Sequence, residues 1–261
     1  MNIFIFDRTF DGLLTAVFDA FARHEFPEEL AVENEPLPLF CETVHTVITD
    51  EKKAERVWKA IEKKLSKQAA SSLTICWLSE KRDMYMPLFR YVCKAVKSAQ
   101  SIETCFTDAD VLAVSKMSRK VWYERLRMMQ FLRFQKTKDG TYLGVILPDY
   151  DVLPLVIPHF HDRFADQPWL IYDARRLYGY YFDGTPKSRP IRVEFAEDEV
   201  LPFDLSNGKL HEDLLADNDK LFQELWRTYF KAICIKERLN PKKHRKDMPV
   251  RYWKYMTEKQ C

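Results

Sequence analysis

The sequence predicts an α+β fold, with a mainly helical portion over residues 1–107 and an α+β domain over residues 108–261, in which helices pack on an antiparallel sheet. The hairpin signals that follow Leu132 have no counterpart between Asp50 and Phe131, where apolar residues keep a helical spacing. Beyond that point strands and helices are grouped instead of strictly alternating, which favours an antiparallel sheet over a doubly wound parallel one. The boundary is soft, and a single domain remains an alternative.

The first half of the chain begins with a short strand and an amphipathic helix. The run Asn2 to Phe6 is typical of a strand. Thr9 can cap the helix that follows, because its side-chain oxygen can accept from a free amide of the first turn. Further predicted elements are a loop over Glu25 to Pro38, a possible strand over Thr43 to Ile48, a helix that begins at Asp50, a helix over residues 82–98, and one or two helices over residues 108–131.

The second half begins with a hairpin. Two strand-like segments, Leu132 to Lys136 and Tyr142 to Leu147, flank an Asp139-Gly140 pair, which is a strong short-range hairpin signal. Further predicted elements are a short helix framed by Pro154 and Pro158, strands over Trp169 to Tyr172, Leu177 to Phe182 and Ile191 to Phe195, and a helix from Asp219 to Ile235 with Leu221, Phe222, Leu225, Trp226, Tyr229, Phe230 and Ile233 buried.

Several classes of function are disfavoured by motifs that the sequence lacks. The six glycines form neither a P-loop nor a G-x-G-x-x-G turn, which disfavours nucleotide hydrolysis and Rossmann dehydrogenation. The six cysteines form no C-x-x-C pair, and we expect Cys76 and Cys93 to be buried, reduced thiols. Because the sequence has no apolar stretch near the length of a membrane span and no export signal, we expect a cytoplasmic protein. We also expect no cofactor.

The side chains offer no convincing catalytic or metal site. His159 and His161 precede Asp162, but residues two apart on a helix face different directions, so we predict that they bind no catalytic metal. Acidic pairs lie in turn-like segments where solvated carboxylates are expected, and no serine sits in a G-x-S-x-G turn. Any catalytic residues are therefore left unassigned.

Charge is segregated along the chain. Residues 1–50 hold 2 basic and 10 acidic side chains, residues 51–140 hold 20 and 10, residues 141–230 hold 9 and 16, and residues 231–261 hold 10 and 3. The net charges of the blocks are therefore −8, +10, −7 and +7. Either acidic segments fold against basic ones, or the two positive blocks converge into a face that binds a polyanion.

The segment from Arg238 to Tyr255 combines dense positive charge with aromatic rings. Cations of this kind neutralise phosphates, and Tyr or Trp rings stack on exposed bases. The alternative is a helical tail whose aromatic side chains dock on the core while its lysines stay in water. The predicted nucleic-acid-binding residues are Arg125, Arg127, Arg133, Arg238, Lys242, Lys243, His244, Arg245, Lys246, Arg251, Trp253 and Lys254.

Several segments of the chain resemble a known family. They are Phe4 to Asp7, Thr9 to Ala20, Met129 to Phe134, Arg163 to Ile171, Leu225 to Phe230, Arg238 to Pro241 and Met248 to Lys254. The chain resembles the bacterial family labelled probable DNA-metabolism proteins, whose shared part is a domain of unknown function. Members are typically encoded beside a putative radical-SAM DNA repair protein, and some carry a fused uracil-DNA-glycosylase domain, for which this chain has no room.

Three hypotheses of function follow. The resemblance and the segregated charge favour an accessory protein that binds DNA, or that docks a radical-SAM repair partner onto it, without chemistry of its own. The second hypothesis is an enzyme that acts on nucleic acid through a dispersed active site. The third is a pure protein-interaction module, in which the acidic N-terminal fifty residues matter as much as the basic tail.

Overall fold

The computed structural model describes residues 1–36, 41–185, 187–195, 201–232 and 240–260. The chain divides into two compact units, Met1–Trp122 and Tyr123–Cys261, and the division falls inside one helix. The sequence placed the boundary in front of this helix, at residues 107/108. The predicted α+β class is confirmed, because both units combine helices with a sheet.

The first unit holds a three-stranded sheet in the order β2-β1-β3, in which both strand pairs are parallel. Its elements are β1 (Asn2–Phe6), α1 (Phe10–Arg23), β2 (Glu29–Val32), β3 (Thr43–Thr46), α2 (Glu51–Lys64), α3 (Lys67–Trp77), α4 (Tyr85–Lys97) and the beginning of α5 (Ala109–Phe131).

Local capping explains where the helices of this unit begin. The Thr9 hydroxyl accepts from the Gly12 amide at 2.8 Å, which confirms the predicted cap. Asp50 accepts from the amides of Lys52 and Lys53 and caps the helix that was predicted to begin there. Two elements were missed. Strand β2 lies inside the predicted loop Glu25 to Pro38, where acids and prolines mask a four-residue strand that pairs with β1.

Helix α3 was the second missed element, although Ser66 caps it by accepting from the Ala69 amide at 3.2 Å. The buried face of α3 helps to build the core of the first unit, together with α1, α2 and α4. Cys76 and Cys93 are buried thiols as predicted, and burial raises the pKa of each to about 12.

The second unit holds a five-stranded sheet in the order β4-β5-β6-β7-β8. Its elements after the end of α5 are β4 (Phe134–Lys136), β5 (Tyr142–Ile146), α6 (Leu153–Arg163), β6 (Pro168–Asp173), β7 (Tyr178–Asp183), β8 (Ile191–Val193), α7 (Asp219–Ala232), α8 (Pro241–Asp247) and a 3-10 helix (Val250–Tyr255).

The predicted hairpin is confirmed by β4 and β5, which pair antiparallel around a turn where Gly140 has a φ of 91°. The pairs β6 with β7 and β7 with β8 are also antiparallel. The pair β5 with β6 is parallel, which differs from the wholly antiparallel sheet of the prediction. A parallel pair needs a crossover, and α6 supplies it between the two strands.

The predicted burial of α7 is wrong. Its apolar stripe faces solvent: the exposed fractions are 56% for Leu221, 59% for Phe222, 54% for Leu225, 37% for Trp226 and 55% for Tyr229, while Phe230 is half-buried and Ile233 lies outside the described residues. Helical periodicity indicates that such residues share a face, but it does not determine what covers that face. Within the described ranges, no helix is both long and apolar enough to cross a membrane.

Candidate nucleic-acid interface

The chain after α8 packs on the second unit. Tyr252 and Met256 are buried, with 4% and 0% of their surface exposed. The Trp253 indole donates to the Met248 carbonyl at 3.0 Å, and the Tyr255 hydroxyl donates to the Leu205 carbonyl at 2.6 Å. These contacts agree with the hypothesis that the aromatic residues of the tail dock on the core.

Glu124 is the buried centre of one polar network in this unit. Its carboxylate is 1% exposed and accepts from Arg251 Nη2 and from the Tyr252 hydroxyl, each at 2.6 Å. It also accepts from the Asp149 amide at 3.0 Å, and Arg127 Nη1 lies 3.8 Å away. Burial, followed by the bond to Glu124, raises the pKa of Tyr252 to about 12, so this hydroxyl is a donor at neutral pH.

Arg133 is held by a second buried carboxylate, that of Glu258. Nη2 of Arg133 donates to Oε1 of Glu258 at 2.6 Å, and Nε bonds both carboxylate oxygens at 3.1 and 3.2 Å. Nη1 donates to the carbonyls of Gln130 and Leu132. Burial acts to raise the pKa of Glu258, but the hydrogen bonds and the charge of Arg133, together with a backbone hydrogen bond and one from Trp226, leave the pKa below its ordinary value of 4.5.

Helix α8 presents four of the exposed cations of the basic segment. Asn240 caps it by accepting from the Lys243 amide at 3.0 Å, and Pro241 occupies its first turn. Lys242, Lys243, Arg245 and Lys246 are all exposed. Lys243 pairs with Asp247 at 3.0 Å, whereas the other three have no carboxylate within 4 Å in the described part of the chain.

His244 attaches α8 to the tail. Its ring stacks on Trp253 with centroids 5.6 Å apart and an interplanar angle of 29°. Lys259 lies over both Trp253 and Phe230, at 4.9 and 4.6 Å from the ring centroids, and thereby connects the tail to α7. Burial lowers the pKa of His244 below 6.5, Lys259 adds to this effect, and Asp247 opposes it.

We therefore expect acid to loosen α8. Because the folded pKa of His244 is lowered, the detached helix binds more protons than the docked one, and docking weakens as the pH falls below about 6.5. Hydrogen exchange of the amides of residues 242–247, corrected for intrinsic rates, measures the change. The variant His244→Phe keeps a ring against Trp253 but cannot titrate, so its α8 should stay equally protected. An identical pH response in parent and variant would contradict this role of His244.

The remaining predicted site residues differ in their surroundings. Arg125 Nε donates to the Leu155 carbonyl at 2.8 Å in a partly buried position. Lys254 is exposed, with Nζ 5.0 Å from the centroid of the Tyr255 ring, and Arg238 lies outside the described residues. The structure thus brings Arg127 and Arg251 together at Glu124 and attaches Arg133 to the tail, while the α8 cations remain available to solvent.

The sequence pattern does not indicate the carboxylates that bind these arginines. Glu124 and Glu258 each lie in a stretch in which basic residues outnumber acidic ones, so the charge pattern does not single them out. The signal that was present is that Glu124 precedes Arg127 by three residues on a helix, a spacing at which side chains meet. Glu124 and Arg251 are 127 residues apart in sequence, and Arg133 and Glu258 are 125 residues apart, so neither contact produces a local sequence pattern.

The two histidines of α6 contact aromatic rings. The His159 ring lies against Phe160 and the His161 ring against Phe182, with centroids 5.3 and 4.9 Å apart. Within the described ranges, no three or more His, Cys, Asp or Glu side chains are grouped so that they could hold a metal ion. That these histidines bind no catalytic metal stays a prediction.

Comparison with known proteins identifies the family of the chain. The family model of a domain of unknown function, DUF4130, matches residues 82–258, which is more than half of the sequence. The chain belongs to this family. The match covers α4, α5, the five-stranded sheet and the tail through Glu258, so both buried carboxylates lie within the domain. No curated protein and no solved structure matches the chain.

Proposed function

We propose that this chain is an accessory protein of DNA metabolism that binds DNA through α8, or docks a radical-SAM repair partner onto DNA. The observation that carries the proposal is the set of three exposed cations, Lys242, Arg245 and Lys246, which have no acidic partner among the described residues. The resemblance to probable DNA-metabolism proteins supports DNA as the polyanion.

The geometry of α8 suits binding to a phosphate backbone. Lys242 and Lys246 are four residues apart and share one side of the helix, next to Arg245, while His244 points toward Trp253. The cations stay solvated until phosphate replaces water and counterions. Docking of the tail keeps the short helix in place, so its charges are presented from a packed surface and not from a free end.

A salt titration of DNA binding tests this proposal. The triple variant Lys242→Ala, Arg245→Ala, Lys246→Ala should weaken binding to duplex DNA and reduce the slope of log affinity against log salt by about 2.7, because each lost phosphate contact removes about 0.9. Adding Lys243→Ala should have a smaller further effect, since Lys243 is already paired with Asp247. Fluorescence anisotropy of labelled duplex between about 50 and 200 mM salt gives the slopes.

The matched control removes equal charge elsewhere in the same unit. Lys187, Arg189 and Lys209 are also exposed cations, and the variant that replaces all three by alanine should keep most of the salt slope. If the two triple variants lose affinity equally, binding follows net charge alone and α8 is not the interface. If neither the parent nor any variant binds DNA, the DNA hypothesis fails.

A protein-interaction function is the second candidate, and the exposed apolar face of α7 favours it. Contiguous apolar surface on a folded protein marks a binding site more often than scattered single residues do. A radical-SAM repair protein is the partner that the family resemblance suggests. Binding to such a partner should be insensitive to salt and should be lost on replacing Leu221 and Leu225 by serine, which isothermal titration calorimetry can measure.

A further inference from the structure

A pocket with a volume of about 520 Å³ lies in the second unit between the β4-β5 hairpin and α7. Phe134 and Tyr142 line it from the hairpin, and Phe222 and Trp226 line it from the helix. Its volume is in the range of small-ligand sites, which run from about 300 to 1,000 Å³. Phe222 and Trp226 of the exposed α7 stripe thus belong to a concave site.

The walls of this pocket are tied to each other at its base. Asp219 Oδ1 accepts from the Lys136 amide at 2.8 Å, and Gln223 Nε2 donates to the Phe134 carbonyl at 3.3 Å. Phe134 also packs edge-on against Phe160 and Phe164, with centroids 5.8 and 5.5 Å away. The separation between hairpin and helix is therefore fixed before any ligand enters.

Two polar groups on the lining have hydrogen-bonding capacity to spare. Gln223 uses its Nε2 within the unit, while its Oε1 bonds no atom of the described residues. The Asn218 side chain is exposed and likewise forms no hydrogen bond within the described ranges. An amide next to aromatic rings can bond the edge of a planar heterocycle while the rings contact its faces.

Charge at the rim favours a ligand that carries phosphate. Lys136 lies with Nζ 5.5 Å from the Tyr142 ring centroid, and no carboxylate of the described residues is within 4 Å of that nitrogen. The Arg133 guanidinium, by contrast, is bound by Glu258 and lies 5.3 Å from the Trp226 ring, so it supports that wall. The lining thus offers one cation without a carboxylate partner among the described residues, while the Asp219 carboxylate, which also lines the pocket, accepts from the Lys136 amide and from Gln223.

We propose that this pocket binds an unstacked base of single-stranded nucleic acid, with the base against Phe222 and Trp226 and a neighbouring phosphate at Lys136. The proposal rests on the proposed function, because it takes nucleic acid as the ligand of the domain. It adds a preference for strands with accessible bases, which the α8 cations alone do not provide. The aromatic rings, the amides beside them and the Lys136 ammonium are together the groups that favour a base with its phosphate.

Two oligonucleotides of equal charge separate base binding from phosphate binding. The parent protein should bind an oligothymidylate of about 12 nucleotides at least tenfold more tightly than an abasic strand of the same length, since stacking on one aromatic residue contributes about tenfold or more. Phe222→Ala and Trp226→Ala should each remove most of this preference and leave affinity for the abasic strand unchanged. Trp226→Phe should keep the preference, because it retains an aromatic ring.

Leu225→Ala is the matched control, because Leu225 is exposed on the same helix but does not line the pocket. It should bind both strands as the parent does. If the parent binds both strands equally, the pocket takes no base, while the proposed function survives as long as duplex binds. If Leu225→Ala weakens oligothymidylate binding as much as Phe222→Ala does, the whole apolar face and not the pocket is responsible, and the proposal is overturned. If no DNA of any form binds, the proposed function itself fails.

Discussion

Replacing Glu258 by alanine is expected to lower the free energy of unfolding of the second unit by about 3 to 5 kcal/mol, since removing one partner of a buried ion pair leaves the charge of the other partner without compensation. The Glu258 side chain is 0% exposed and Arg133 is 18% exposed, so water cannot replace the lost carboxylate easily. The variant should also loosen α7, because Arg133 lies over Trp226 and Arg227 donates to the Thr257 carbonyl beside Glu258.

Urea unfolding, combined with hydrogen exchange of the amides of residues 250–260, measures this loss. The matched control is Glu194→Ala, because Glu194 binds Arg192 through Nη2 at 2.7 Å but is 62% exposed. An exposed pair contributes about 0 to 1 kcal/mol. Equal losses in the two variants would show that burial does not strengthen the Glu258 pair.

Lowering the pH should also reduce the stability of the parent protein. The pKa of Glu258 is depressed in the folded chain, so its contribution to stability is present above about pH 4.5 and is lost as the pH falls toward the folded value.

Those parts of the fold that depend on neighbouring residues could be predicted from the sequence. Thr9 and Asp50 cap helices because their side chains reach amides two or three residues away. Asp139 and Gly140 form the hairpin turn because glycine tolerates the positive φ that the turn requires. In each case the interacting atoms lie within a few residues, so the pattern determines the structure.

Contacts between distant residues could not be predicted in this way. Arg133 and Arg251 were grouped with the DNA-binding cations because they lie in basic stretches, yet each is bonded to a buried carboxylate. A single sequence gives the charge of an arginine but not the carboxylate that approaches it from 125 or 127 residues away. The wrong prediction that α7 is buried has the same cause. Periodicity places Phe222 and Trp226 on one side of a helix but does not specify what packs against that side.

Fewer residues remain candidates for the interface than the sequence predicted, because some of the predicted cations are bound inside the second unit. Arg133, Arg251 and the tail hold the second unit together, whereas the cations of α8 stay exposed. The two positive blocks meet through internal carboxylates, so their combined charge is partly neutralised where they meet. The cations that those carboxylates do not contact are the ones that we propose bind a polyanion.

Replacing Glu124 by alanine should destabilise the second unit by about 3 to 5 kcal/mol, because its buried carboxylate is the shared acceptor for Arg251, Tyr252 and the Asp149 amide. The variant Arg251→Met should cost less, since its methylene groups are kept and the Tyr252 bond survives. In a double-mutant cycle the two changes should couple by about 0.5 to 3 kcal/mol, and Arg251→Met should cost less in the Glu124→Ala background than in the parent, since only the pair with Asp149 is then left to lose. Urea unfolding of the four proteins supplies the cycle.

The same Arg251 variant distinguishes an internal ion pair from a DNA contact. Arg251 also pairs with Asp149, so two carboxylates already occupy its guanidinium. Under conditions where both proteins are fully folded, Arg251→Met should bind duplex DNA with the salt slope of the parent, whereas a phosphate contact would lower that slope by about 0.9. An unchanged slope together with strong coupling to Glu124 would assign Arg251 to the fold. A reduced slope with no coupling would assign Arg251 to the proposed DNA-binding surface.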